Sequence, residues 1–97
     1  MAIARLTDTE RDAALAELTL WTLADDGRSI ARTLRLADFA EAFGMMTRIA
    51  ILAEKADHHP EWFNVYNRID IRLTTHDANG LSPRDVALAR RIDAISA

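Results

Sequence analysis

A chain of 97 residues, 49% hydrophobic and 28% charged, has the size and composition of one folded globular domain spanning 1–97, burying ~60–70% of its unfolded surface with no room for a second core. Its net charge of −3 and the scatter of its 12 Lys and Arg residues argue against nucleic acid as a partner, because even the Arg84, Arg90, Arg91 group is interrupted by Asp85 and followed by Asp93. The lack of cysteine excludes disulfides and thiolate chemistry, and no 18 apolar residues run together to span a membrane, so cytoplasmic residence with no membrane partner is expected.

In chain order, Thr7 and Glu10 have the spacing of a capping box ahead of Leu15 and Leu18, which predicts a short first helix. Leu20 to Leu23 is apolar, Asp25-Asp26-Gly27 tolerates positive φ, and Ser29 to Leu36 places Ile30, Leu34 and Leu36 on one face, so a β-hairpin is expected. From Phe39 to Ala56 the residues Phe39, Ala42, Phe43, Met46, Ile49, Ala50, Ala53 and Ala56 step by three and four, the pattern of a helix with one apolar stripe. That helix must stop before Pro60, whose ring disfavours helical geometry at His59.

Beyond Trp62, Phe63 to Tyr66 reads as extended and Asn67 as a turn or bulge. Ile69, Ile71 and Leu73 alternate with Asp70, Arg72 and Thr74 as in a half-buried strand. Asp77 to Gly80 is turn-like, and Ser82-Pro83-Arg84-Asp85 supplies an N-cap, a proline at the first helical position and an acidic third residue for a last helix carrying Leu88, Ile92 and Ile95. The order α-β-β-α-β-β-α predicts an α+β fold, a four-stranded antiparallel sheet with three helices packed on one face.

All three histidines, His58, His59 and His76, fall within 19 positions. Imidazole exchanges protons near neutrality, so this grouping points to acid/base chemistry. Adjacent residues on an extended segment point opposite ways, which gives His58 and His59 separate jobs. Glu54, at the edge of the apolar stripe, is placed to orient an imidazole or accept hydrogen bonds from a ligand amide. Simple alternation sets His76 on the side of Asp70, Arg72 and Thr74, so either a pocket opens there or the strand ends or bulges first.

Taken singly, each residue has a plain structural explanation: a histidine capping carbonyls, Trp62 and Tyr66 in the core, Asp85 at a helix start. The set as a whole does not. A metal site of two histidines with Glu54 or Asp77 is the other chemistry available, but no HExxH spacing is present.

The stretch Glu54-xxx-His58-His59-Pro60, then Tyr66, His76 and Asp85 after gaps of five, nine and eight residues, resembles the signature of the pterin-4a-carbinolamine dehydratase family. The resemblance extends to Trp21, Ile30-Ala31-Arg32, Asp38-Phe39, Ala53-Glu54 and Gly80-Leu81-Ser82-x-Arg84-Asp85. It departs at Leu20, where glycine is common, and at Leu34 and Leu36, often aromatic.

The resemblance implies a dehydratase that removes water from 4a-hydroxytetrahydropterin to give quinonoid dihydropterin, using no cofactor and no metal, and coupled to an aromatic amino acid hydroxylase. It implies His58 and His76 as the acid/base pair and His59, Glu54, Pro60, Trp62 and Asp85 on the substrate side. Glu54 would accept from the amino-pyrimidine edge, Asp85 would orient His76 or only cap its helix, and Trp62 would line the pocket or serve the core. A homodimer or homotetramer is implied too, and so is the alternative of a non-catalytic interaction or dimerisation module.

Overall fold

Helix α1, Asp8–Glu17, begins at the expected capping box in the computed structural model, which describes residues 3–96. The Thr7 hydroxyl accepts from the Glu10 amide at 3.1 Å and the Glu10 carboxylate accepts from the Thr7 amide at 2.9 Å. The Thr7 amide foremost, and then the Thr7 hydroxyl beside it, hold the Glu10 carboxyl below the usual carboxylate range.

Strands β1, Thr22–Leu23, and β2, Ile30–Arg35, form the hairpin. On β2 the residues Ile30 and Leu34 are buried, and half-buried Arg32 shares their face. Its guanidinium reaches Asp93 near the far end of the chain, and the same carboxylate accepts from the buried Trp21 indole at 2.9 Å. One acidic side chain thus ties the segment after α1, the central sheet and the last helix.

Helix α2, Phe39–Ala56, starts where Asp38 caps the Glu41 amide at 2.9 Å. Its buried face is Ala42, Met45, Ile49 and Ala53. The expected stripe was wider: Phe39 and Phe43 are 49% and 59% exposed, their rings packed on each other at 6.0 Å, and Ala50 and Ala56 are exposed as well. Eight apolar positions cover more of a helix than one layer can bury, and α2 is rolled so that Met45 and Leu52, rather than Phe43, turn towards the core. The helix ends at Asp57, left-handed at φ 50, followed by Pro60.

Strand β3, Glu61–Val65, begins two residues earlier than expected, and Tyr66 lies in the turn at φ 50 rather than in the strand. Asn64 fixes that turn by donating its side-chain amide to the carbonyls of Tyr66 and Arg68. Strand β4, Arg68–Leu73, buries Ile69, Ile71 and Leu73 as the alternation predicts. All pairings are antiparallel, in the order β1-β2-β4-β3. The architecture is the expected one, with Leu88, Ala89 and Ile92 of helix α3, Pro83–Ile95, closing the core.

Between β4 and α3 the chain makes a single 3-10 turn, His76–Ala78, closed by the pairing of Thr75 with Gly80. Gly80 has φ 155, a conformation that favours glycine, and a Cβ there would also have to displace the exposed Arg5 side chain, 2.7 Å away. Helix α3 follows with Ser82 as N-cap, Pro83 in the first turn and Asp85 completing a capping box.

The three-way tie at Asp93 makes a stability prediction. Asp93→Ala strands the Trp21 indole N–H and the Arg32 guanidinium in half-buried surroundings and is expected to cost about 2–3 kcal/mol in urea unfolding. Asp93→Asn, which keeps an acceptor for the indole, should cost about half as much; equal losses in both variants would show that the charge alone carries the tie.

Candidate functional site

The histidines come together because three element ends meet at one end of the sheet: the C-terminus of α2, the C-terminus of β4 and the N-terminus of α3. The αL residue Asp57 turns the chain out of α2, and the His58 amide bonds back to the Ala53 carbonyl at 3.1 Å. The two adjacent histidines then differ sharply in burial. The His58 side chain is 9% exposed and that of His59 is 56% exposed, the separation that adjacency predicts.

His58 Nε2 lies 2.6 Å from Asp85 Oδ1. Asp85 is fully buried, and its Oδ2 accepts from the Thr75 hydroxyl at 2.7 Å and from the Ser82 amide at 2.9 Å. A buried carboxylate survives only when its lone pairs are used, and here three donors and the first turn of a helix supply that compensation. Asp85 therefore does cap its helix, but the imidazole it meets is His58, not His76. Its full burial removes it from direct contact with any ligand, so the expectation of a substrate-binding Asp85 gives way to one of a side chain that acts through His58.

The other two histidines also face carboxylates, both in solvent. His59 Nε2 is 2.5 Å from Glu54 Oε1, so Glu54 holds an imidazole rather than standing free for a ligand amide. His76 Nε2 is 3.3 Å from Glu61 Oε2, and the Arg72 guanidinium pairs with the other oxygen of the same carboxylate, Nε to Oε1 at 2.9 Å. Strand β4 has ended at Leu73 and the 3-10 turn begins at His76, which leaves this ring 79% exposed on the Arg72 side of the sheet. Exposed pairs of this kind hold little energy and rearrange readily.

His58, His59 and His76 line one cavity of about 260 Å³ together with Asp57, Thr74, Thr75, Asp77 and Arg84. Pro60 and Trp62 are not among its walls. Trp62 stands opposite Ile71 in the β3–β4 ladder, the core-facing register, and packs half-buried against the core; Pro60 serves to end the helical segment. Among the described residues no three His, Asp or Glu side chains are grouped to hold a metal ion, so the two-histidine set with Glu54 or Asp77 is not assembled.

Sequence reasoning missed Thr75, Glu61 and the lining residues Asp57, Thr74 and Arg84. Thr75 carried a faint signal, being the polar residue just before His76; Glu61 became significant only once its partner across the ladder was known to be Arg72.

Known proteins share the sequence and the fold. The family described as pterin 4 alpha carbinolamine dehydratase matches residues 4–95. A protein of Novosphingobium aromaticivorans named "Putative pterin-4-alpha-carbinolamine dehydratase" is 62% identical over 93 residues, which is 96% of this chain and 97% of the relative. One of the same name from Burkholderia ambifaria is 58% identical over 95 residues, covering 98% and 93%. The crystal structure of a transcriptional coactivator/pterin dehydratase from Brucella melitensis superposes with a TM-score of 0.91 at 46% identity, over 96% of this chain and 99% of that one. With a whole-chain match, relatives above half identity and a shared fold, this chain belongs to the pterin 4 alpha carbinolamine dehydratase family.

Proposed function

We propose that this protein is a hydro-lyase that converts 4a-hydroxytetrahydropterin to quinonoid dihydropterin by histidine acid/base catalysis. The observation that carries the reading is the convergence of His58, His59 and His76 on one cavity, each ring with a different carboxylate behind it. The family and the names of the relatives support the substrate class.

In the reaction the C4a–O bond breaks, a proton reaches the departing oxygen, the N5 proton leaves, and a C4a=N5 double bond forms with release of water. No electrons are gained or lost overall, so the balance calls for proton transfer and no redox cofactor. His58 and His76 are the acid/base pair, one delivering the proton to the hydroxyl while the other takes the proton from N5. His58 is held rigidly by Asp85, whereas His76 keeps the freedom of an exposed ring and can leave Glu61 when substrate arrives. His59, steadied by Glu54, positions the substrate at the rim. The product is the oxidation level from which tetrahydropterin is regenerated for an aromatic amino acid hydroxylase, which makes that enzyme the functional partner, in the cytoplasm.

The exposed Phe39, Phe43 and Ile51 of α2 favour a second property, self-association of the chain into a dimer or tetramer through this helix. The Brucella relative, described as a coactivator as well as a dehydratase, gives the interaction-module reading its support. A stoichiometric foreign protein co-purifying with a chain that turns over no pterin would favour that reading over catalysis.

Three outcomes are expected. His58→Ala and His76→Ala should each lower kcat on a 4a-hydroxytetrahydropterin by at least ~10²-fold with the unfolding transition retained; unchanged rates in both would end the dehydratase reading. His59→Ala should instead raise KM about tenfold, the ~1.4 kcal/mol of one hydrogen bond, with little effect on kcat. In sedimentation the chain should exceed monomer mass and Phe43→Glu should lower it, whereas a monomeric wild type would remove the self-association.

A further inference from the structure

Four buried polar side chains form one chain of hydrogen bonds, His58 and Thr75 in the cavity wall and Asp85 and Ser82 behind it. Its directions are fixed by counting protons. The Thr75 hydroxyl has one hydrogen and gives it to Asp85 Oδ2, so in the 2.6 Å contact between Thr75 Oγ1 and Ser82 Oγ the serine must donate. Ser82 Oγ in turn accepts from the Arg84 amide at 3.2 Å. Asp85 Oδ2 also receives the Ser82 amide, and its Oδ1 is left for His58. An ionised carboxylate only accepts, so His58 Nε2 must carry its proton. Nδ1 has no hydrogen-bond partner among the described residues.

We propose that Nδ1 is the working nitrogen of His58, and that Thr75 and Ser82 are positioning residues that select the Nε2–H tautomer through Asp85. When Nδ1 takes a proton the resulting imidazolium lies against the Asp85 carboxylate, and when Nδ1 gives it up the ring returns to the Nε2–H form. Asp85 stays ionised throughout and no proton travels along the hydroxyls. Without the Thr75 hydroxyl, the carboxylate is free to turn, the ring loses its fixed donor direction, and a fraction of molecules presents a protonated Nδ1 that cannot act as base. Thr75 touches no substrate in this scheme.

The catalytic part rests on the dehydratase reading, but the tautomer does not, and nitrogen-15 NMR of the histidine rings reads it directly. In the pH range where the neutral ring is observed, the His58 signal, assigned by its loss in His58→Ala, should show a protonated Nε2 and an unprotonated Nδ1. A neutral wild-type ring protonated on Nδ1 overturns the proposal outright. In Thr75→Val the two tautomers should mix and kcat should fall roughly tenfold with KM within about twofold, and Thr75→Ser should restore both. A folded Thr75→Val with an unmixed tautomer and unchanged kcat also overturns it. Should Thr75→Val fail to fold, Ser82→Ala must produce the same mixing, and a pure Nε2–H signal there counts against the proposal. A wild type with no pterin turnover but the expected tautomer would sink the dehydratase and leave the hydrogen-bond chain standing.

Discussion

The Asp85 carboxylate is the point on which the functional end of this molecule depends. It joins the first turn of α3 to Thr75, two residues past the end of β4, and to His58, two residues past the end of α2. An ionised group with no solvent exposure is costly unless every lone pair is used. Asp85 is tolerated because the loops after α2 and β4, each fixed by backbone bonds of its own, present donors to it. His58 is held both by this circuit and by the burial of its ring.

A contrast between the three histidines follows. One is buried and bonded to a buried carboxylate, and two are exposed and face exposed carboxylates. Pairs in solvent hold their geometry weakly, while the buried pair is hard to disturb. A ligand entering the cavity thus meets one fixed imidazole and two adjustable ones. For a reaction needing two proton transfers at different atoms of one substrate, a fixed reference with a movable partner suits the task better than two rigid groups, each of which would have to be placed correctly in advance.

Much of the architecture was legible because the periodicities are clean: alternation in β4, the capping boxes at Thr7 and Ser82, and Pro60 after α2 each name an element by local physics. What was not legible depended on contacts between elements. The stripe of α2 shows which residues are apolar but not which edge of the stripe meets the core, so Met45 was passed over and Phe43 was expected inside. The partner of Asp85 was equally hidden, since His76 is nine positions away in sequence and His58 is 27. Proximity along the chain favours His76; only the way β4 ends, in a 3-10 turn that carries His76 to the outer side, hands the carboxylate to His58.

Register links the visible and the hidden parts. The β3–β4 ladder sets Trp62 opposite Ile71 and Glu61 opposite Arg72. A slip of one residue would turn Trp62 into solvent and bring the Glu61 carboxylate against Ile69, Ile71 and Leu73, so the core enforces the observed pairing. The same pairing delivers Glu61 to the outer face where His76 stands. The indole that sequence reasoning assigned to the pocket thus affects the site from the opposite side of the sheet: by locking the register from within, Trp62 decides which carboxylate the exposed histidine can reach.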